Sequence, residues 1–382
     1  MRGRWKRAIR VIHKKGLCVQ CMCRLNDVMP MAHGLKVSKR LGERAIKTVT
    51  QLTLIDRKLK ILDVEDSLVI PLKRTLSKED EEKLKETLYT FECVWDSFPK
   101  RVRVVKSLIE ALENDLPPNL LPYLPKAMDI VGSVAIVDIS PEIEAWKRSV
   151  GSAVLQVNRN VETVLAKAGL VQGKHRLRQF EVIAGTGETK VVHREYGCTY
   201  QLDPTEVYFT PRLSEERRRV AEQVREGETI VDMFASVGPF AIQIGKTCEN
   251  VKVYAVDVNE KAYNFLMRNI KANGVEKTVI PVLGDVKTLV ERFTGVFDRV
   301  ILDLPEKASE FIDVACRLLK PEGGIMHYYC FHSKPSVLEK AEKRLRGKIT
   351  EANRILQNVV YKRCLRQIGP RRWHAVLDVI VS

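Results

Sequence analysis

Asp232-Met-Phe-Ala-Ser-Val-Gly-Pro-Phe240 is the stretch that decides the fold of this 382-residue sequence. An apolar run over residues 229–234 has the composition of a buried strand, and it is followed by the small residues Ala235, Ser236 and Gly238. A helix is expected after Gly238. A strand that turns through small residues into a helix lets a ligand approach its backbone, so we expect a binding site at this turn.

Outward from this turn, strand and helix patterns alternate regularly between residues 201 and 382. Further strands are expected at residues 251–257, 278–283, 297–304 and 325–331. Further helices are expected at residues 259–273, 306–319 and 335–345. This alternation predicts a parallel, doubly wound α/β sheet. Two final strands, near residues 356–364 and 373–381, follow each other without a helix and predict an antiparallel edge.

Acidic and small residues recur at the carboxyl ends of these strands, which is where ligands bind in a parallel sheet. They are Asp232, Phe234, Ser236, Gly238, then Asp257-Val258, Asp285-Val286 and Asp303-Leu304-Pro305. The second acid suits two ribose hydroxyls, the third an adenine amine, and the fourth lies where the reacting end of a substrate must sit. Because neither the dinucleotide fingerprint nor a phosphate-binding loop is present, the set fits S-adenosylmethionine, which has no pyrophosphate. An acid-rimmed domain without a cofactor is the alternative.

The composition is that of a globular protein with an excess of positive charge. Hydrophobic residues make up 45% and charged residues 29%, and no apolar run is long enough to cross a bilayer. Lys and Arg number 64 against 48 Asp and Glu, a net charge of +16. This excess favours a nucleic-acid partner, although a general solubility bias would also produce it. The odd number of cysteines, nine, and the absence of a secretory signal predict free thiols in the cytoplasm.

The first part of the chain contains a basic extension and a small module. Residues 1–30 are expected to be poorly ordered, or to precede a true start at Met31. Their cysteines are too closely spaced for a closed zinc site, so no metal is expected. Residues 31–75 predict a small α/β module, with a helix from Ser38 and a strand pair at residues 58–64 and 67–72.

A charged stretch separates this module from a second one. The stretch, residues 75–86, has no evident apolar face and is interpreted as a linker. Residues 86–200 predict a mixed α/β domain for RNA binding. Its expected elements are a near-continuous β run at residues 129–138, a helix from Pro141, and strands at residues 180–183 and 190–195.

Six short motifs follow one another along the chain. They are Gly173-Lys-His-Arg-Leu-Arg178, Val207-Tyr-Phe-Thr-Pro-Arg-Leu-Ser-Glu-Glu-Arg217, the stretch from Asp232 to Phe240, Asp303-Leu-Pro305, His327-Tyr-Tyr329 and His374-Ala-Val-Leu-Asp378. This ordered set resembles the tRNA (guanine-37-N1) methyltransferases of archaea and eukaryotes over residues 34–382. The resemblance implies a class I, Rossmann-like methyltransferase domain at residues 201–382, preceded by two smaller α/β modules. It also implies S-adenosylmethionine as cofactor and a tRNA partner, contacted at its anticodon loop and body by a monomeric enzyme, with the small module at residues 31–75 helping to grip the tRNA.

The resemblance also implies roles for individual residues. Glu216 would be the general base, and Arg217 would lie at the cofactor. Arg176 would contact guanine O6, and Tyr208 would hold the flipped base or the methionine end of the cofactor. Two positions depart from the family pattern: Asp303 stands where Asn is more frequent, and Ser236 stands where Gly is usual. The first departure concerns recognition of the substrate edge.

The chemistry of guanine supports these roles. Its N1 carries a proton at neutral pH, which a base must remove while O6 gains negative charge, so a carboxylate and a guanidinium supply both needs. Other interpretations stay open at each position. Glu216 could belong to a solvated, charged helix face, Arg176 could contact phosphate, and Tyr208 with Phe209 could be core packing.

Two other functions remain compatible with the sequence. A related enzyme of the wybutosine pathway could transfer the aminocarboxypropyl group of the same donor. A non-catalytic RNA-binding protein could retain a degenerate methyltransferase domain, although the four strand-end acids argue against this.

Overall fold

A computed structural model describes residues 29–101, 105–172 and 177–382, and the side chains of residues 170–178 are outside that description. The basic extension is therefore outside the described residues, apart from its last two positions. The chain divides into two compact units, residues 1–104 and residues 105–382. No helix among the described residues is long and apolar enough to span a membrane.

The first unit is an antiparallel sheet covered by two helices. Its strands are β1 Met31–Ser38, β2 Leu62–Val64, β3 Ser67–Leu72 and β4 Glu92–Ser97, in the order β2-β3-β1-β4. Its helices are α1 Gly42–Gln51 and α2 Lys78–Leu88. Both predicted elements of the module, the helix after Ser38 and the strand pair, are present. Strands β1 and β4 were not predicted.

The interpretation of residues 75–86 as a linker is wrong. The stretch forms most of α2, which begins with a capping box between Ser77 and Asp80. Leu84 and Leu88 are fully buried against the sheet, and β4 then returns to pair with β1. Only two of the eleven helical residues have side chains in the core. Because most of the others are charged, the sequence shows no clear apolar face. The first unit therefore extends past the predicted boundary at residue 75, to about residue 101.

The second unit begins with a small α/β domain. It comprises α3 Leu108–Leu112, β5 Met128–Val131, β6 Val134–Val137, α4 Lys147–Val157, β7 Thr163–Gln172 and β8 Leu177–Gly185. The strands lie in the order β5-β6-β7-β8. The run at residues 129–138 is thus a hairpin and not one strand, because Gly132 adopts a left-handed conformation (φ 58°) that reverses the chain. The predicted helix and the strand around residues 180–183 are present.

The rest of the chain is built on a seven-stranded sheet. Its strands are β11 Thr229–Asp232, β12 Lys252–Asp257, β13 Val279–Leu283, β14 Arg299–Leu302, β15 Gly324–Ser333, β16 Leu356–Gly369 and β17 Arg372–Val381. Their order is β13-β12-β11-β14-β15-β17-β16, with β11 to β15 parallel and the last two antiparallel. The doubly wound sheet and its antiparallel edge are confirmed. The chain reverses direction across the sheet between β11 and β14, which is where such folds bind ligands.

Six helices accompany this sheet. They are α5 Ser214–Ala221, α6 Pro239–Thr247, α7 Glu260–Asn273, α8 Val286–Phe293, α9 Ile312–Leu318 and α10 Val337–Glu351. Helix α8 was not predicted. The helix expected at residues 306–319 is reduced to a 3₁₀ turn, Ala308–Glu310, followed by the short α9.

A hairpin upstream of residue 201 belongs to the core of this domain. It consists of β9 Val191–Glu195 and β10 Cys198–Leu202. The Asn269 side chain on α7 accepts from the Gln201 N–H (2.7 Å) and donates to its carbonyl (3.1 Å), so the hairpin is hydrogen-bonded to the domain like an added strand. Tyr200 is buried in the same apolar cluster as Phe240. The domain therefore starts near residue 191, not at 201.

Candidate active site

The turn after β11 has the open, small-residue geometry that the sequence predicts. Ser236 and Gly238 both have left-handed backbone angles (φ 47° and 89°). A Cβ at Gly238 would lie 2.4 Å from Cδ1 of Leu266, so this position has no room for a side chain. The Ser236 hydroxyl donates to the Tyr208 carbonyl at 2.7 Å, which ties the turn to the segment before α5.

Asp257 is held rigidly at the carboxyl end of β12. Its Oδ2 accepts from the Ser236 N–H at 2.7 Å, and its Oδ1 accepts from the Asn259 N–H at 2.8 Å. These bonds orient the carboxylate between the first and second strand ends. Val258, next in sequence, is exposed beside it.

Asp232 is a buried carboxyl with an unused oxygen. It is 1% exposed, and its Oδ1 accepts a long bond from the Phe234 N–H at 3.4 Å. Its Oδ2 has no partner among the described residues. Burial, with a smaller contribution from the charge of Asp303, raises the pKa of Asp232 to about 8. A buried polar oxygen without a partner is costly, so a ligand group that hydrogen-bonds to this oxygen would be stabilising.

Asp303 follows β14 at the same edge of the sheet. Burial raises the pKa of Asp303 to about 6, against the opposing charge of Arg217. The nearby charge of Glu216 raises this pKa further. The Pro305 carbonyl accepts from the Phe331 N–H at 3.2 Å, so the Asp303-Leu304-Pro305 loop is fixed against the end of β15.

The third strand end differs from the prediction in detail. Asp285 is exposed, and its Oδ1 accepts from the Lys287 N–H as the N-cap of α8. The Val286 side chain is buried in the core of the domain, so only its backbone can face a ligand. Phe234 packs edge-on against Phe311, with ring centroids 5.0 Å apart.

Glu216 does not lie on a solvated helix face. It is 6% exposed on α5, and its Oε1 accepts from the Tyr329 hydroxyl at 2.9 Å. The Arg219 Nε donates to both of its oxygens at 3.1 Å, and Nη2 donates to Oε1 at 2.5 Å. The charged run around Glu216 thus contributes a buried carboxylate to the interior of the domain.

Arg217, on the same helix, forms hydrogen bonds with other residues of the protein. Its Nη1 donates to Glu195 on β9 at 2.6 Å, and its Nη2 donates to the Thr210 carbonyl at 2.6 Å. The guanidinium also lies 4.8 Å from the centre of the Phe209 ring. Its Nε is buried and has no partner among the described residues. Arg217 therefore positions the segment before α5, and its buried Nε–H can still donate to a ligand.

The two aromatic residues before α5 have different environments. Phe209 is buried, whereas Tyr208 is 58% exposed. Core packing therefore explains Phe209 but not Tyr208. Arg176 lies outside the described residues, so the structure gives no position for it.

A polar chain behind Glu216 was not predicted as part of the site. Arg219 also donates to Asp378 at 2.5 Å, and Asp378 accepts from His327 Nδ1 at 2.7 Å. His327 Nε2 in turn lies 2.8 Å from Arg299. The motifs around residues 327–329 and 374–378 were noted in the sequence only for their resemblance. Polar residues within otherwise apolar strands were the available signal for a buried network.

Among the described residues, no cluster of His, Cys, Asp and Glu is arranged to hold a metal ion. The residues that meet at the carboxyl edge of the sheet are Asp232, Ser236, Asp257, Asp303 and Glu216. Together they form a site with several acids, one of them without a full set of partners, next to an exposed aromatic ring.

Three family models match successive parts of the chain. Residues 34–80 match the tRNA methyltransferase 5 N-terminal domain. Residues 108–189 match the TYW2 N-terminal domain, and residues 191–356 match the TRM5/TYW2 methyltransferase domain. The last match begins at the hairpin that the packing assigns to the catalytic domain.

Individual relatives cover nearly the whole chain. A protein of Pyrococcus abyssi named tRNA (guanine(37)-N(1))-methyltransferase Trm5b is 33% identical over 92% of this chain and 100% of its own length. A solved structure described as the complex of aTrm5 and tRNALeu is 29% identical, covers 91% of this chain and 99% of its own, and has a TM-score of 0.73. A tRNA(Phe) (4-demethylwyosine(37)-C(7)) aminocarboxypropyltransferase of Methanocaldococcus jannaschii is 32% identical over 57% of this chain and 85% of its own.

Proposed function

Because this chain belongs to the family of tRNA (guanine(37)-N(1))-methyltransferases, we propose that its site transfers the methyl group of S-adenosylmethionine to N1 of guanine 37 in the anticodon loop of tRNA. The observation that carries this proposal is Glu216, a carboxylate held almost out of solvent within electrostatic reach of the strand-end acid Asp303. Methyl transfer to a protonated ring nitrogen needs a base in that position.

The residues around the β11 turn fit the cofactor. The unpartnered Oδ2 of Asp232 can form a hydrogen bond with a polar group of the ligand, and the fixed carboxylate of Asp257 can accept from ribose hydroxyls. We assign the remaining contacts to backbone or side-chain atoms of Arg217, Phe234, Ser236, Gly238, Val258, Asp285, Val286 and Leu304. When bound, S-adenosylmethionine supplies a methyl group already activated by its sulfonium.

The protein's own groups then handle the proton and the charge of the base. Glu216 takes the N1 proton as the methyl group arrives, and Asp303 with Pro305 bounds the edge of the guanine. Tyr208, with its exposed ring, can stack on a base flipped out of the anticodon loop. We assign the stabilisation of O6 to Arg176. A cation placed at O6 favours the charge that develops there.

The first unit offers a surface for the tRNA body. An open cavity of about 550 Å³ is lined by His33, Trp95 and the basic residues Lys58, Lys73, Lys100 and Arg101. Trp95 is 58% exposed, with the His33 ring edge-on at 4.5 Å. An exposed ring among cations suits an unpaired base and its phosphates. We propose that this cavity contacts tRNA and that the enzyme acts as a monomer.

The described cysteines fit the compartment that the sequence predicts. All six of them are free thiols. Free thiols persist in a reducing environment, and we propose that the enzyme acts in the cytoplasm.

Aminocarboxypropyl transfer remains the second candidate, because residues 108–189 match the TYW2 N-terminal domain. Methyl transfer is favoured because residues 34–80 match the tRNA methyltransferase 5 N-terminal domain and because the methyltransferase relatives cover over 90% of the chain. A non-catalytic role would leave the buried Glu216 and the orphaned oxygen of Asp232 without a function.

The reaction is tested with S-adenosylmethionine and unmodified tRNA transcripts that carry G or A at position 37. Nucleoside mass spectrometry should find one added methyl group, at N1, with G37 only. Addition of an aminocarboxypropyl group would replace methyl transfer with the second candidate. Cofactor binding without any product on either transcript would contradict the proposed substrate.

A further inference from the structure

Asp378 is a full anion inside the domain, outside the set of residues assigned to the ligands. It lies on β17, has no solvent-exposed surface, and is the cross-strand partner of His327 on β15. Burial alone would raise the pKa of Asp378. The contacts with His327 and Arg219 outweigh burial and hold that pKa well below its usual range. The protein therefore maintains a negative charge one guanidinium away from Glu216.

The far side of Asp378 is fixed by groups that do not belong to α5. Arg299 can only donate, so Nε2 of His327 is the acceptor at 2.8 Å and the ring proton lies on Nδ1, which donates to Asp378. Burial lowers the pKa of His327, so the ring is neutral. Arg299 is held in turn by both oxygens of Glu228, at 2.8 and 3.0 Å. Asp378 is thus anchored to the sheet.

Arg219 divides one positive charge between two carboxylates. Its Nη1 donates to Asp378, Nε donates to Glu216, and Nη2 donates to Glu216 at 2.5 Å and to Asp378 at 3.2 Å. The guanidinium carbon of Arg219 lies 4.0 Å from the centre of the Tyr361 ring, so the cation also has an aromatic contact. A planar fork of this kind can be held at both edges at once, which a lysine amine cannot do.

We propose that Asp378 is a positioning residue for the base: it holds Arg219 by its outer edge and limits how much of that cation's charge Glu216 experiences while it takes the N1 proton. This inference rests on the proposed role of Glu216. The charged and titratable groups that face Glu216 are Arg217 and Arg219 on α5, Tyr329 on β15, Asp303 after β14 and, through Arg219, Asp378 on β17.

Electrostatics determines whether the loss of the Asp378 charge makes Glu216 a weaker or a stronger base. Without the charge of Asp378, Arg219 pairs with Glu216 alone, which stabilises the ionised carboxylate more strongly. A carboxylate that is more strongly stabilised by a cation is a weaker base, so methyl transfer slows. Without Arg219, Glu216 loses its cation and becomes a stronger base.

The test is the pH dependence of single-turnover methyl transfer at saturating tRNA and cofactor. Asp378→Asn keeps an acceptor for His327, but it removes the charge and replaces the oxygen that accepts from Arg219 and Gln223 with an amide nitrogen. We expect its rate to fall by up to about tenfold, the acid limb of the pH–rate profile to move to lower pH, and cofactor affinity to stay within about twofold. Asp378→Glu should return the limb toward that of the unmodified protein.

The matched control is Asp313→Asn, which removes an exposed carboxylate on α9 and should leave the acid limb in place. In an Arg219→Gln background, Asp378→Asn should change nothing further, because Asp378 acts through Arg219. Arg219→Gln alone should move the limb to higher pH. If Asp378→Asn does not unfold cooperatively and is therefore not properly folded, the Arg219→Gln variant provides the test instead.

Each failure has a distinct signature. An unmoved limb in Asp378→Asn, an unmoved limb in Arg219→Gln, or an undiminished effect of Asp378→Asn in the Arg219→Gln background would each overturn the inference. Glu216→Gln separates it from the proposed function. If Glu216→Gln retains methyl transfer, the assigned base is wrong. If it loses transfer but binds cofactor while Asp378→Asn behaves like the unmodified protein, only the positioning role fails.

Discussion

Asp232 shows how one side chain can link the binding site to the stability of the free protein. Its buried carboxyl lacks a partner for Oδ2 among the described residues, and the protein tolerates this by keeping the group protonated. A site that is costly to maintain without a ligand is a frequent property of binding residues. The consequence can be measured without any substrate.

We expect Asp232 to make the unliganded protein less stable, relative to Asp232→Asn, as the pH rises from about 4 to about 8. Unfolded, Asp232 loses its proton near 3.8, whereas folded it keeps that proton to about 8, so the folded state binds the extra proton in this interval. The free energy of unfolding then falls with pH, by at most about 1.4 kcal/mol per unit. Denaturant titrations at pH 5, 6, 7 and 8 measure this slope.

Asp232→Asn should remove the negative contribution of Asp232 from the slope of unfolding free energy against pH, because asparagine does not titrate. Asp303, with a pKa of about 6, adds a smaller contribution of the same sign below that pH. Asp313→Asn is the exposed control and should leave the slope unchanged. Stability that rises with pH relative to Asp232→Asn would contradict the assignment of a protonated Asp232.

At the scale of elements, α2 shows where periodicity failed. Its eleven residues include eight charged side chains, and only Leu84 and Leu88 reach the core. The start of the helix is nevertheless encoded by a local capping box. The Ser77 hydroxyl accepts from the Asp80 N–H, and Asp80 accepts from the Ser77 N–H at 2.8 Å. The capping pair was the signal that distinguishes this helix from a linker.

Leu84→Ala should destabilise the first unit by about 2 to 5 kcal/mol, the usual cost of truncating a fully buried leucine. A residue in a flexible linker would give almost no change. Denaturant unfolding of the full chain, followed through Trp95 fluorescence, measures the difference. Glu82→Ala, on the exposed side of the same helix, is the control and should change the stability by no more than about 0.5 kcal/mol.

At the scale of the whole molecule, the net charge of +16 governs the encounter with RNA. Counterions are released from the RNA when cations approach its phosphates, so the affinity should fall steeply with salt. Binding measured between low and moderate salt should give a straight line on logarithmic axes. A flat line would argue against RNA as the substrate.

Two variants in the first unit should separate charge from stacking in that measurement. Lys58→Ala removes one cation from the cavity, so the slope should decrease by about one or less. Trp95→Ala removes a stacking ring, so the affinity should drop at every salt concentration without a change of slope. Tyr89→Ala, exposed but not part of that cavity, is the control for loss of an aromatic surface.

The sequence by itself determined the features that depend on neighbours along the chain. The alternation of strands and helices, the small-residue turn after Asp232, and the acids that follow β11, β12, β13 and β14 were all predicted and are present. Local patterns suffice here, because strand and helix periodicity and turn composition act over fewer than twenty residues. Parallel topology then brings the strand ends to one edge of the sheet.

Tertiary structure alone decided which charges meet. Arg219 and Asp378 are 159 positions apart, and Tyr329 is 113 positions from Glu216. The same run of acids and arginines could equally have been a solvated helix face, since its sequence has no evident apolar stripe. In the fold Glu216 and Arg217 are buried, while Glu215 and Arg218 stay exposed. Tyr329 on β15 donates to Glu216, and Asp378 on β17 accepts from Arg219. Once buried, each charge required a partner from another strand, because the domain interior solvates an isolated ion far less well than water does.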